Sequence, residues 1–265
     1  MEKLDSWVGI ILHDASQFVV IVAFIYVLVN VVVAAWLGDR KIQQAKVRGK
    51  QLVREITFSA LTIVIFSSMG WLTHYGPLRP FMRLYMDMNE YGFGIAGFEW
   101  VYAIFSLVVT IVIHDAYFYW MHRAMHHRWL YRHMHRLHHR SITPAPTTAY
   151  AFAPGEAVIH AIFLPLILVI LPLHPVVIGL FTMVMIARNT LAHTGIEVFP
   201  PGFVTGPFRW STTVTHHDLH HLHGSGNYGF YFSWWDRLMG TERADYASSF
   251  RKVTERPLLS VEPSQ

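Results

Sequence analysis

The sequence predicts an all-α fold: a multi-pass integral membrane bundle of helices with a histidine-rich helical cap on its cytosolic side. Three observations predict it. Charged residues make up only 14% of the 265 residues, against about 25% in soluble domains. Residues Ser16 to Leu37 run 22 positions without a charge, more than the roughly 20 apolar residues that cross hydrocarbon. Finally, 13 of the 18 histidines crowd into two stretches, 114–139 and 216–223.

The elements follow in chain order. The Ser16–Leu37 run is the first span. It is too long for the apolar region of a cleaved leader, and MEKLD before it lacks a clearly basic start. A second apolar run covers Thr57–Thr73. A third covers Val101–Ile113 and begins near Gly94, with Glu99 at its entry. A fourth block, 157–187, is broken by Leu171-Pro172-Leu173-His174-Pro175. Each of its legs is short, which suits a tilted or shallow hairpin.

Basic residues set the orientation. Arg40, Lys41, Lys46, Arg48, Lys50 and Arg54 lie between the first two spans, whereas 74–94 carries only Arg79 and Arg83. The positive-inside rule puts 38–56 in the cytoplasm and 74–94 outside. Segment 114–156 and the 78 residues after the hairpin then share the cytosolic face. The chain divides into 1–113, membrane helices and basic loop; 114–243, the histidine region with membrane hairpin 157–192; and 244–265, a C-terminal tail frayed from Ser260 to Gln265. All belong to one structural domain.

Composition removes several classes of function. With no cysteine there is no disulfide, iron–sulfur cluster, thiolate zinc site or Cys nucleophile. The net charge of +4 is modest and no long basic tract marks a nucleic-acid partner.

The histidines have helical spacing. His122-Arg-Ala-Met-His126 is HxxxH; His135-Arg-Leu-His138-His139 and His217-Asp-Leu-His220-His221 are both HxxHH. Residues three and four apart share a helix face, so each box aims two or three imidazoles at one point. Without cysteine, imidazole is the ligand of choice for Fe, Zn, Cu or Ni. Eight histidines in three boxes are too many for one ion and about right for two. A loose metal-sequestering tract would be low-complexity, whereas Trp120, Leu137 and Leu219 interrupt these boxes at fixed spacing. His13, His74, His160 and His174 read as interfacial anchors or satisfied core residues.

The string from His114 to His127 (HDAYFYWMHRAMHH), the box 135–139, and Thr215-His-His-Asp-Leu-His-His221 followed by Gly226-Asn-Tyr-Gly229 and 234–241 (WWDRLMGT) resemble the fatty acid hydroxylase/sterol desaturase superfamily. The resemblance runs from about 110 to 243. It implies a histidine-bound pair of iron ions on the cytosolic face, with zinc as a substitute in purified or crystallised protein. It also implies use of O₂ and an external electron donor to hydroxylate or desaturate lipids. Carried over residue by residue, the ligands are His122, His126, His135, His138, His139, His217, His220 and His221. His193, in Asn189-Thr-Leu-Ala-His193-Thr-Gly195, is a ninth.

Of the remaining histidines, His127 and His216 point roughly 100° from their doublet partners. They are expected behind the ligands or at the surface, as are His133 and His223; His114 is a reserve ligand. Asp115 and Asp218 are the carboxylates expected to hold ligand rings. Asp236 reads equally as a packing salt bridge, with Arg237 for example. Glu156, after Pro154-Gly155, reads as a charge at a helix N-terminus. Trp210, Tyr228, Tyr231 and Trp234 line a lipid entrance or form an interfacial belt.

The expected reaction is hydroxylation of an unactivated C–H of an acyl chain, sterol or related isoprenoid that arrives laterally from the bilayer. The donor is a separate electron-transfer protein of ferredoxin or cytochrome type, since the chain shows no Cys, dinucleotide fingerprint or room for a haem domain. Arg123, Arg128, Arg132, Arg136 and Arg140 offer it a basic docking face, or serve lipid headgroups. Alternatives are desaturation, ether-lipid cleavage, a metal transporter or store, and a non-redox zinc protein. The short chain leans towards a bacterial inner membrane, or the ER membrane in a eukaryote.

Overall fold

The computed structural model describes residues 6–37 and 40–256; the Ser260–Gln265 tail lies outside them. The described residues are helical, with three isolated β-bridges and no β-sheet. Helix α1 is Trp7–Leu37, α2 Gly49–His74 and α3 Phe98–Met125. Helix α4 spans 128–139, with a π-helical stretch at Tyr131–His135. Then come α5 (Pro154–Ile170), α6 (Pro175–Ala192), α7 (Val214–His223), α8 (Trp234–Leu238) and α9 (Tyr246–Thr254).

Four helices, α1, α2, α3 and α6, are long and apolar enough to cross a bilayer. With 17 residues, α5 reaches about 25 Å at 1.5 Å per residue. The pair α5–α6 is the hairpin, with Pro at each N-terminus and the 171–174 turn between; only α5 is short, and α6, expected to be a short leg too, has the length and hydropathy of a span. Helix α1 starts nine residues before the charge-free run. Asp14 breaks the hydropathy but is paired: Ser67 Oγ donates to it at 2.6 Å, and Trp7 Nε1 donates to Ser68. A polar residue with a partner on a neighbouring helix is tolerated inside a span.

The spans are polar inward and apolar outward, as a lipid solvent requires. Helix α2 buries Glu55, Ser59, Thr62, Ser67 and Thr73 and exposes Leu52, Val53, Ile56 and Leu61. Helix α3 buries Ala103, Ser106, Thr110, His114, His122 and Met125 on one stripe, with Trp100, Val101, Ile104, Phe105 and Val108 outside. That spacing of three and four delivers the first histidine box to the inner end of the helix.

The polar segments collect at two ends. At one, residues 75–97 pair with the hairpin turn, Arg83 N donating to Leu168 O at 2.7 Å beside the Leu84–Leu173 bridge. At the other lie the 40–55 loop, α4, the 140–153 segment and the chain from 193 onward, joined by the Lys41–Ile196 bridge and by Arg40 Nη1 on Phe199 O. All three boxes belong to this second end. Two cores hold the bundle. Phe163, Leu168, Leu173, Val177 and Phe181 unite α3, α5 and α6, while Phe18, Ile63, Tyr150, Phe152 and Ile186 unite α1, α2 and α6. Residues 246–254, expected within the tail, instead form α9. Tyr246 and Phe250 pack under Leu219 of α7 and Val204, because an aromatic four residues from another forms one face.

Candidate metal centre

Nine imidazoles converge in two groups. His122, His126, His135, His139 and His220 form the first, and His138, His193, His217 and His221 the second. Within each group, one nitrogen from every ring lies within 4.8 Å of all the others. The first box sits on the last turn of α3 and its cap, the second on α4, the third on α7, and His193 caps α6.

Each HxxHH box is divided between the groups. His135 and His139 turn to the first and His138 to the second; His217 and His221 turn to the second and His220 to the first. The expectation that each box aims at one point is therefore corrected. At about 100° per residue, i and i+4 differ by about 40°, whereas i+3 lies about 100° from i+4. Two helices facing each other thus exchange one imidazole each and tie the two groups together.

The nitrogens meet in a geometry suited to a cation. Nε2 of His122 is 3.0 Å and Nε2 of His139 3.1 Å from Nε2 of His135. In the second group the Nε2 atoms of His193, His217 and His221 lie 3.0 to 3.2 Å apart. Nε2 of His126 and of His220 are buried without a hydrogen-bond partner.

In five of the nine rings the opposite nitrogen is engaged. Nδ1 faces the carbonyl oxygens of Tyr228 for His122 (3.0 Å), Asn189 for His193 (2.7 Å), Gly226 for His220 (2.6 Å) and Ser141 for His221 (3.0 Å), and Glu156 Oε1 for His135 (2.7 Å). Each such Nδ1–H donates, which leaves the Nε2 lone pair for a metal. Burial, more than any other cause, pushes the His126 and His193 imidazoles down to about 4. Burial and then neighbouring histidines hold His135, His138, His139, His217, His220 and His221 well below the ordinary value. Neutral rings at pH 7 are ligands. The donor set and the orphaned nitrogens fit metal.

Two carboxylates are placed otherwise than expected. Asp115 accepts from the amides of Tyr231 (2.8 Å) and Phe232 (3.1 Å) and from Trp234 Nε1 (2.6 Å), and touches no ligand ring. It lies seven residues before His122, about 10 Å down the axis, and fastens the 231–234 segment. Asp218 accepts from Gln43 Nε2 at 2.8 Å. It is one residue from His217 and two from His220, so it points off both faces; burial pushes its carboxyl up to about 7. Glu156 holds His135 rather than merely charging a helix end. Asp236 accepts from the amides of Tyr228 and Gly229 (both 2.8 Å) and from Thr241 Oγ1 (2.7 Å), and faces His216 Nε2 at 3.3 Å. Arg237 pairs instead with Glu242.

Asp236 thereby shapes the loop 226–229, whose Gly226 and Tyr228 carbonyls hold His220 and His122. Asn227 and Gly226 take positive φ, 55° and 74°, and Asn227 Nδ2 donates to His216 O. Glu55, unremarked in the sequence, accepts from Ser141, Thr147 and Thr148 hydroxyls at 2.6 to 2.8 Å and so positions the carbonyl that holds His221. Its only signal was a carboxylate at the mouth of an apolar run.

The other histidines separate. His127, His133 and His223 are exposed; His216 is buried. His174 Nδ1 caps α6, accepting from Val176 N, and His74 Nδ1 faces Gly70 O. His160 stacks on Phe118 and lies 3.9 Å from Glu156 Oε1. His114 joins neither metal group. Tyr228 lies against the His122, His126 and His220 rings, Tyr231 beside His114, and Trp210 under the Arg209 and Arg237 guanidiniums. Below the centre, a cavity of about 380 Å³ runs between α1, α2, α5 and α6 from His160 and Tyr150 to His13, Asp14 and His74.

The model of the fatty acid hydroxylase family matches residues 107–241, more than half of the chain and every imidazole of both groups. The chain belongs to this family. Among curated proteins it is 30% identical to the Delta(7)-sterol 5(6)-desaturase of Gibberella zeae, over 84% of this chain and 66% of that protein. It is 31% identical to lathosterol oxidase of Rattus norvegicus, over 76% and 63%, and 29% identical to methylsterol monooxygenase 1 of the same animal, over 54% and 48%. The chain thus spans less than two thirds of the length of these relatives. No solved structure matches it. Within this fatty acid hydroxylase family member, the family region supplies all the metal-directed nitrogens, while helices α1 and α2, outside it, supply Glu55 and one side of the cavity.

Proposed function

We propose that this chain is a membrane-bound non-haem di-iron oxygenase that hydroxylates an unactivated C–H of a lipid: a fatty acyl chain, a sterol or a related isoprenoid. The observation that carries the reading is the exchange of imidazoles between two facing boxes above a lipid-sized cavity. His122, His126, His135, His139 and His220 would hold one iron, and His138, His193, His217 and His221 the other. An iron pair supplies the redox chemistry with O₂ that attack on an inert C–H demands. Iron rather than zinc would serve this chemistry, because zinc has no redox states to use.

The chain's own residues bind, orient and exclude water. Backbone carbonyls fix the tautomers, so ring orientation survives redox change at the metals. Glu156 holds the Nδ1 proton of His135. Phe118 packs on His122 and Phe152 on His138, and both pack on the cavity-lining His160; this aromatic layer would keep bulk water from the reacting carbon. The apolar cavity aligns the lipid, and the gap between spans and hairpin admits it from the bilayer.

The basic 40–54 loop lies at the metal end, which the positive-inside rule assigns to the cytosol of a bacterial inner membrane or an ER membrane. A separate electron-transfer protein delivers electrons there. Arg128, Arg132, Arg136 and Arg140, all exposed beside the second box, suit an acidic donor. Desaturation is the second reading, favoured by the names of the desaturase and oxidase relatives.

The test is exposure of membranes holding the chain to ¹⁸O₂ with a reductase system, followed by lipid mass spectrometry. A labelled lipid alcohol supports hydroxylation, and an unlabelled product short of two hydrogens supports desaturation. No oxidised lipid with any donor, in iron-loaded protein, overturns both.

A further inference from the structure

His114 lies on the inward stripe of α3, two turns below His122, and is 4% exposed. Its ring is boxed edge-on by Phe163 (4.7 Å between centroids), Phe181 (5.1 Å), Phe230 (5.6 Å) and Tyr231 (5.6 Å). Nδ1 is buried with no partner, and among the described residues nothing in the chain hydrogen-bonds either ring nitrogen. The ring lines the cavity. A polar group buried without a partner is costly, and phenylalanine would fill an aromatic box without that cost. The metal groups do not use this histidine, and among the described residues no carbonyl hydrogen-bonds to it.

We propose that His114 is the specificity-determining contact of the cavity, hydrogen-bonded to a hydroxyl group carried by an otherwise apolar lipid. The proposal deepens the oxygenase reading and rests on it for the fate of the bound lipid. Three features select a hydroxyl. A neutral imidazole presents one N–H and one lone pair, and a hydroxyl both donates and accepts, so it serves either tautomer. No Lys or Arg lines the cavity, and its one carboxylate, Asp14, belongs to the far end; a phosphate or carboxylate headgroup would find no counter-charge. Much of the remaining wall, including Ile63, Phe66, Ile178, Met185 and Ile186, is apolar and suits a hydrocarbon body, while His13, Gln17 and His74 join Asp14 among its polar residues. The hydroxyl fixes the depth of the lipid, and so which carbons come within reach of the metal end near His160.

The test uses matched lipids that differ only in a hydroxyl: cholestanol against cholestane, and hexadecanol against hexadecane. Their affinities are measured on the purified full chain in nanodiscs. The wild type binds the alcohol of at least one pair about tenfold more tightly than the hydrocarbon. His114→Phe, which keeps the ring volume, abolishes that preference without weakening the hydrocarbon, and His114→Gln restores part of it. His114→Leu repeats the loss should the Phe variant fail to fold, as judged by its thermal midpoint. An absence of preference in the wild type, or one unchanged by both apolar variants, overturns the proposal.

Iron content and ¹⁸O labelling are read on the same preparations. Iron-loaded protein that labels a lipid but ignores the hydroxyl defeats the His114 contact alone. A preference removed by His114→Phe, in iron-loaded protein that oxidises nothing, supports the contact and defeats the oxygenase reading.

Discussion

Glu156 Oε1 lies 2.7 Å from Nδ1 of His135, and both side chains are shut off from solvent. The carboxylate stands on the first turn of α5 and the imidazole on α4, so one hydrogen bond locks the second box onto the membrane hairpin. Gly155 makes the approach possible: a Cβ there would overlap the sulfur of Met134, one residue before His135.

Replacing this carboxylate separates charge from geometry. Glu156→Gln keeps an acceptor for Nδ1–H and retains most of the metal. Glu156→Ala leaves the His135 ring unanchored and lowers metal affinity by about 10- to 100-fold. Competition with a chelator of known affinity checks this; equal affinity in the wild type and the Ala variant would remove Glu156 from the centre.

Adjacent histidines act on different groups. His138→Ala depletes the second group and His139→Ala the first, so each variant holds about one iron per chain rather than two. The double variant loses both. Iron quantified by mass spectrometry decides the matter, and full iron in either single variant contradicts the assignment.

Much of this centre was legible. Helical spacing gave the boxes, and the family resemblance gave all nine imidazoles that the fold gathers. What spacing leaves open is which rings from other helices meet a given face. His138 and His139 differ by about 100°, yet only the docking of α4 against α7 shows that this angle divides them between two groups. The carboxylates were misjudged for a related reason. Asp115 shares the face of His122 but lies about 10 Å down the axis, and Asp218 points off the faces of its neighbours, whereas Glu156 and Glu55 are remote in sequence and reach the site by packing. The first two turns of α1 were hidden because Asp14 lowers hydropathy, and its partner Ser67 is invisible until the spans pack.

The loop 226–229 depends on a clamp with no spare room. A Cβ on Gly229 would overlap the Phe232 carbonyl and lie 2.8 Å from Asp236 Oδ2. Gly229→Ala therefore displaces the loop and frees the His122 and His220 rings. Asp236→Ala removes charge-assisted hydrogen bonds of about 1.5 to 3 kcal/mol each. Both lower the thermal midpoint and the iron content. Gly49→Ala, with nothing within 4 Å of the added Cβ, leaves both unchanged and serves as control.

Acid loosens the metal-free protein. Burial holds the His126 and His193 imidazoles at about 4 when folded, against about 6.5 when unfolded. Between those values the unfolded chain binds more protons, so stability is present above the unfolded value and falls as pH drops from about 6.5 towards 4. Thermal midpoints of the chelated protein from pH 8 to pH 5 should decline through that window, and a flat profile would contradict the buried neutral state.

Mössbauer spectroscopy of ⁵⁷Fe-loaded protein tests the crossed centre most directly. About two irons per chain, seen as a spin-coupled pair that His138→Ala and His139→Ala each reduce to an uncoupled single ion, is the predicted result. One magnetically isolated iron in the wild type, unaffected by either substitution, would contradict it.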